Sequence, residues 1–211
     1  MNACDKSEGA IQWTMRKREL EIRLQSVLPF EEPDASLEQY MTPATIAADV
    51  IFEAYRNGDI EGLKVMDLGC GTGMLSIGAW LMDAGMVVGY DTSERALATA
   101  RINADAQGAD ISFNLSGIGD VDEGADTVVM NPPFGCQRGH ADRPFLEKAL
   151  ALSDCVYSIH MANTLDFVEE FCRKRDRSVF WRRTYNYDIP HLFSFHTKMK
   201  QTVEVVAVGI R

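Results

Sequence analysis

VMDLGCGTGMLS, residues 65–76, is an apolar, strand-like run that breaks into Gly69, Gly71 and Gly73 and continues as a helix. Glycines at alternate positions let the backbone turn sharply and approach a ligand closely, and the helix that follows offers its N-terminal amides to it. The spacing is G-x-G-x-G, which differs from the usual dinucleotide fingerprint and disfavours a nicotinamide cofactor. Asp67 stands just before the loop. Twenty residues beyond Gly71, Asp91 closes the next strand candidate, MVVGYD (86–91), where a carboxylate can accept both hydroxyls of a ribose.

Outward from this unit, β-rich runs alternate with amphipathic stretches. Strands are predicted at 64–69, 86–91, 111–115, 125–131, 155–161, 177–187 and 202–211, and helices at 74–83, 94–107, 143–153 and 165–174. That alternation describes an α/β fold, a mostly parallel sheet with helices on both faces. No helix is predicted between the last two strands, so they pair as an antiparallel hairpin at one edge. Two further helices precede the sheet. In the first (16–28), Leu20, Leu24, Val27 and Leu28 form one stripe; the second (42–58) starts with Thr42 as N-cap and Pro43 in the first turn, and stops near Gly58. The acidic, Pro-containing segment 29–40 joins them. Residues 1–14 lack periodicity and are expected to be a mobile extension.

The second informative stretch is VVMNPPFGC, residues 128–136. Prolines 132 and 133 cannot donate to a ladder and hold the residue before each of them extended, so the fourth strand must end at Asn131. In an open α/β sheet ligands bind beyond the carboxyl ends of the strands, which brings Asn131 to the crevice of the glycine loop. The Asn131 side-chain oxygen and the Pro132 carbonyl can each accept a hydrogen bond from a planar NH2 group. As such a nitrogen attacks a methyl carbon it gains positive charge, which these acceptors stabilise without a general base. Phe134 offers an aromatic face for a stacked base, and a reacting base must be unpaired or flipped out.

With 211 residues, 46% of them hydrophobic, the chain can bury a full core in one domain. It has no bilayer-length apolar run and no signal-peptide pattern near its start, so a cytoplasmic protein without a membrane partner is expected. Cys4, Cys70, Cys136, Cys155 and Cys172 are odd in number and form no C-x-x-C pair, which favours reduced thiols over disulfides or zinc. His140, His160, His191 and His196 lack metal-ligand spacing, and His160 reads as a packed core side chain. No metal is expected. The formal charge of −10 opposes binding to nucleic acid, but it is uneven: Lys and Arg number 11 against 23 Asp and Glu in residues 1–144, and 10 against 8 in 145–211. Residues 171–200 make either a local basic face or a solvated helix end. Trp181, Tyr185 and Tyr187 alternate along one strand and read as the packed face of an edge strand.

The glycine loop with Asp67 and Asp91 resembles the cofactor half of the class I S-adenosylmethionine-dependent methyltransferases. Asn-Pro-Pro-Phe resembles the motif of their amino-methylating members, which act on adenine, cytosine, guanine or glutamine amide nitrogens. RKRELEIRLQSV, LEQYMTPATIAADV, DLGCGTGMLSIGA, VVGYDTSERALATARINA, DTVVMNPPFG, FLEKALALSDCVYSIH and YDIPHLFSFHTKM, taken in order, resemble the methyltransferase-like protein five family and its archaeal relatives. The resemblance runs from about Met15 onward. It implies the seven-stranded class I methyltransferase sheet over 64–211, with residues 15–63 as a helical arm packed on it. It also implies N6-methylation of an adenosine in small-subunit ribosomal RNA, S-adenosylhomocysteine as product, and a small zinc-ribbon activator protein as partner.

Residue by residue, it implicates Gln39 and Thr42 at the cofactor's methionine end. It gives Asp67, Gly69 and Gly71 the methionine end, with Cys70 between the glycines in the loop; Asp91 and Thr92 the ribose; and Asn131, also a cofactor contact, with Pro132, Pro133 and Phe134 the reacting amine. A bottom-up alternative for Gln39 is a loop anchor. The family's acid after the third strand is replaced here by Gly117, with Asp120 as its candidate substitute. His191, His196, Lys198 and Lys200 are candidates for RNA phosphate contacts. Two rivals stand beside this reading: methylation of a protein glutamine amide, and a non-catalytic ribosome-assembly factor that binds RNA.

Overall fold

The computed structural model describes residues 15–134, 142–190 and 200–211, with backbone alone at 35, 188–190 and 200–201. The helices are α1 (Lys17–Leu24), α2 (Ala44–Arg56), α3 (Met74–Leu81), α4 (Glu94–Gln107), α5 (Arg143–Leu152) and α6 (Leu165–Arg173). The strands are β1 (Lys64–Leu68), β2 (Met86–Asp91), β3 (Ser112–Leu115), β4 (Thr127–Met130), β5 (Cys155–Met161), β6 (Val179–Pro190) and β7 (Lys200–Ile210). They form one seven-stranded sheet in the order β3-β2-β1-β4-β5-β7-β6. β1 to β5 run parallel; β7 enters antiparallel between β5 and β6. This is the sheet the sequence predicts, including the antiparallel end.

Both faces are covered, which explains why the central strands are apolar without alternation. Val65, Val87, Val129 and Tyr157 pack toward α1, α2 and α3. Their neighbours Met66, Val88, Val128 and Val156 pack toward α5 and α6. α4 closes over Cys70 and Phe113 in a third cluster. It starts at Ser93, whose Oγ accepts from Ala96 N, and stops at Gly108 in the left-handed region (φ 65°). At the end of the sheet opposite the glycine loop, Asp59 ties strands together. Its Oδ2 accepts from Tyr157 Oη at 2.7 Å, and Arg211 Nη2 donates to both its oxygens at 2.7 and 2.8 Å.

Two expectations for the segments before the sheet are corrected. α1 ends at Leu24, so Leu20, Leu24 and Val27 are buried while Leu28 is exposed. Pro29 disfavours helical backbone at Leu28, and the Leu28 amide turns instead to Asn103 Oδ1 (2.8 Å). Thr42 does not cap α2. The boundary residue is Pro43, without a side-chain cap bond, and the Thr42 hydroxyl is engaged by Asn131. Among the described residues no helix is long and apolar enough to cross a membrane.

Candidate active site

β1 and β4 are neighbours at the point where the strand order reverses, and their carboxyl ends open into one cavity of about 570 Å³, within the usual range for small-molecule sites. Asp67, Gly69, Cys70 and Gly71 line it from the β1 side, Asp91 and Thr92 from β2, and Asn131 and Pro133 from β4. The segment before α2 crosses over and contributes Phe30, Gln39 and Thr42.

The three loop glycines all have positive φ, 74°, 53° and 86° at Gly69, Gly71 and Gly73. Side chains are strained there, and a Cβ on Gly71 would stand 2.9 Å from the Phe30 ring. The amides of Gly69 and Cys70 both donate to the Tyr90 carbonyl, at 2.8 and 2.9 Å, which holds the loop against the end of β2. Asp91 reinforces it: Oδ2 accepts from Gly71 N at 2.9 Å and Oδ1 from Ser93 N at 2.8 Å. Burial raises its pKa above the ordinary carboxylate value against these bonds.

Asp67 is 1% exposed. Its Oδ2 accepts from Ser76 N (2.9 Å) and Oγ (2.6 Å), while Oδ1 is buried and has no partner among the described residues. Burial pushes its pKa up to about 7, opposed by the Ser76 bonds and assisted by the charge of Asp91. Burial likewise drives the Cys70 thiol well above its ordinary value, so it is a neutral wall rather than a nucleophile.

Asn131 follows β4 directly. Its Nδ2 donates to Thr42 Oγ1 at 2.9 Å, and its Oδ1 is buried without a partner among the described residues. Phe134 is 8% exposed and meets the Tyr187 ring edge-on, with centroids 6.0 Å apart and planes at 84°. Little of the ring is free for a base in this arrangement. Pro132 is buried and lies outside the cavity lining.

Gln39 lines the cavity and is also a loop anchor, since its Oε1 accepts from Asp34 N at 2.8 Å. After β3, Gly117 lines the cavity, and the single turn Ile118–Asp120 folds back over it. Asp120 Oδ2 comes to 3.7 Å from the place a Gly117 Cβ would occupy. Asp120 itself is exposed and is not among the residues that line the cavity.

Sequence reading missed Phe30, Asn103 and Phe145. Phe145, on α5, lines the cavity and stands 3.2 Å from a Cβ placed on Gly69. Asn103 Nδ2 donates to Leu28 O (3.1 Å) and Thr72 O (2.9 Å), joining the start of the crossing segment to the glycine loop. A lone Asn on the buried stripe of α4 was the available signal.

Four of the five cations of 171–182, all but Arg173, are paired with acids. Arg175 donates to Glu147 and stacks 3.6 Å over the Phe171 ring; Lys174 pairs with Glu170, Arg177 with Asp154 and Arg182 with Glu169. Arg183 pairs with Asp49. Trp181, Tyr185 and Tyr187 pack on the body, as expected of that strand face. His160 is fully buried, its Nδ1 2.9 Å from Asp142 Oδ2. Cys70, Cys155 and Cys172 are free and buried, and the described residues contain no cluster that could hold a metal. Cys4, Cys136, His140, His191, His196 and Lys198 lie outside the described residues, and of Lys200 only the backbone, in β7, is described.

The sheet order with its antiparallel end, the glycine loop after β1 and the acid closing β2 define a class I S-adenosylmethionine-dependent methyltransferase. Residues 46–152 match the methyltransferase small domain. An uncharacterized protein of Methanocaldococcus jannaschii is 36% identical over 208 residues, covering 93% of this chain and 94% of its own. The rRNA N(6)-adenosine-methyltransferase METTL5 of Danio rerio is 36% identical over 205 residues, covering 90% and 96%. The crystal structure of a provisionally named RNA methyltransferase from Pyrococcus horikoshii superposes with a TM-score of 0.87 at 39% identity, over 93% of this chain and 97% of that one. The chain belongs to the METTL5-like family of methyltransferases. The residues present fit the methyl donor this class implies. A buried carboxylate with one free oxygen suits an ammonium group, and a glycine loop without side chains leaves room for close approach.

Proposed function

We propose that the protein transfers a methyl group from S-adenosylmethionine to the exocyclic N6 amine of an adenosine in small-subunit ribosomal RNA. The observation that carries this reading is the unpartnered, buried Asn131 Oδ1 at the end of β4, beside the cavity of the glycine loop. When bound, S-adenosylmethionine supplies an electrophilic methyl group on a sulfonium. Asp67 Oδ1 receives the donor's ammonium, Asp91 and Thr92 hold the ribose hydroxyls, and Gln39 borders the methionine end. Asp120, whose Oδ2 lies near Gly117, is the candidate acceptor for the donor's adenine amine.

At the acceptor, Asn131 Oδ1 and the Pro132 carbonyl each take a hydrogen bond from the substrate NH2. The positive charge that grows on the attacking nitrogen strengthens both bonds, so they favour the transition state over the ground state. The aminium proton leaves to water, and no side chain of the motif is needed as base. Pro132 and Pro133 keep the acceptors rigid, so little reorganisation accompanies transfer. Relatives named as rRNA N(6)-adenosine methyltransferases over nearly the whole chain support RNA as the acceptor class.

A small zinc-ribbon activator protein is part of the proposal. The chain carries a net charge of −10, and most described cations of its basic region are paired with acids, which leaves little free charge for phosphate. β3 is an open edge of the sheet, and Leu115 on it and Ile102 on α4 are 56% and 58% exposed. His191, His196, Lys198 and Lys200 remain candidates for phosphate contacts.

The test is methyl transfer from labelled S-adenosylmethionine into small-subunit RNA lacking the modification, followed by nucleoside digestion and mass analysis, with and without the activator. The expected outcome is label in N6-methyladenosine, absent with Asn131→Ala. Label in a protein glutamine instead, or cofactor binding without any transfer, would overturn the RNA reading.

A further inference from the structure

Thr42 precedes α2 yet does not cap it; its Oγ1 accepts a 2.9 Å hydrogen bond from Asn131 Nδ2. A side-chain amide has one donor end and one acceptor end. With Nδ2 committed to Thr42, the free end of Asn131 is Oδ1, which is buried and unpartnered among the described residues. The opposite rotation would set amide hydrogens against those of a substrate NH2, so the direction of this one bond decides whether the site attracts or repels an amine. A hydroxyl could also donate to a flipped Asn131 Oδ1, but that flip would leave both Nδ2 hydrogens in the buried position where one oxygen now stands alone, which disfavours it.

Thr42 is itself held on both sides. Tyr187 Oη, on β6, donates to the Met41 carbonyl at 3.0 Å, and Pro43 fixes the backbone that follows. The same Tyr187 ring braces Phe134. Three parts of the chain far apart in sequence thus meet at the reacting end of the motif.

We infer that Thr42 is a positioning residue: its hydroxyl fixes the rotation of the Asn131 amide so that Oδ1, rather than Nδ2, faces the attacking amine. The inference rests on the amine-methylation reading above, and it gives Thr42 a role distinct from the cofactor contact that the family resemblance implies.

The experiment compares Thr42→Val, which keeps shape and loses the hydroxyl, with Thr42→Ser, which keeps the hydroxyl. The readouts are kcat at saturating cofactor and RNA, the dissociation constant of S-adenosylhomocysteine by calorimetry, and the 15N signal of the Asn131 side-chain amide, assigned by its loss in Asn131→Ala. Thr42→Val is expected to lose roughly 10- to 100-fold in kcat, as small misplacements of reacting groups do, with cofactor affinity changed less than about threefold. The Asn131 amide protons should exchange with water faster. Thr42→Ser should restore both rate and protection.

Weaker S-adenosylhomocysteine binding with kcat intact would make Thr42 a cofactor contact and overturn the inference. An Asn131 amide signal unchanged by Thr42→Val would overturn it on geometry alone. If the wild type methylates no adenosine, the functional reading fails while the amide signal still decides the role of Thr42.

Discussion

Asn131 and Asp91 sit in one cavity but should fail differently when altered. Asn131→Ala removes the acceptor proposed to act as charge develops. A loss of about 10²–10³ in kcat is expected, by analogy with the loss of one preorganised hydrogen-bonding group, with S-adenosylhomocysteine affinity changed less than about threefold. Asp91→Ala removes the proposed ribose acceptor and the observed partner of the Gly71 amide, so cofactor affinity should fall first. Equal affinity in the wild type and Asp91→Ala would place the ribose elsewhere. Asp67 adds a pH dependence whose sign follows from its pKa, raised from 3.8 to about 7. Between those values the folded apo protein holds a proton that the unfolded chain has lost, so stability falls as pH rises, by at most about 1.4 kcal/mol per pH unit. Thermal melts of apo wild type and Asp67→Asn should therefore diverge between about pH 4 and 7, with the neutral variant becoming the more stable. Cofactor binding, which favours the carboxylate, should release a proton near neutrality; parallel melting curves would show that Asp67 is ionised throughout.

The segment between α1 and α2 is the element that sequence reading understood least. It reads as an acidic, Pro-containing connection, yet Phe30 packs on the glycine loop and Thr42 holds Asn131. Both interactions join residues about forty to ninety positions apart, and no local spacing records such a meeting. By contrast the glycine loop, Asp91 and the end of β4 at Asn131 were legible, because backbone constraints of glycine and proline act on their immediate neighbours. Thr42 was misread for a related reason: a Thr-Pro pair before an amphipathic run has the composition of a cap, and only the tertiary partner shows where the hydroxyl goes. Asn103 fastens this segment to the loop, so Asn103→Ala should cost roughly 1–3 kcal/mol, the price of leaving the Leu28 and Thr72 groups without their partner. Denaturation with and without S-adenosylhomocysteine checks it, and a variant as stable as wild type would mean that water replaces the side chain.

For the whole molecule, charge is the governing quantity. A chain of net −10 whose described basic region is largely ion-paired should hold RNA weakly alone, and the affinity it has should fall with salt in proportion to the few phosphates it neutralises. Filter binding across a salt series should give a shallow slope that steepens when the activator is added. An identical slope with and without the partner would show that the partner contributes no phosphate contacts and acts on the enzyme's own surface.

The placement of β7 between β5 and β6 has a consequence for how the molecule is made. A ribosome delivers β6 before the strand that must separate it from β5, so β6 has no sheet partner until residues 200–210 leave the exit tunnel. Tyr187, which braces Phe134 and the segment before α2, rides on that waiting strand. The reacting end of the site can be assembled only in the last moments of synthesis, and nascent chains stalled before residue 200 should remain open to protease there even when β1 to β4 are already protected.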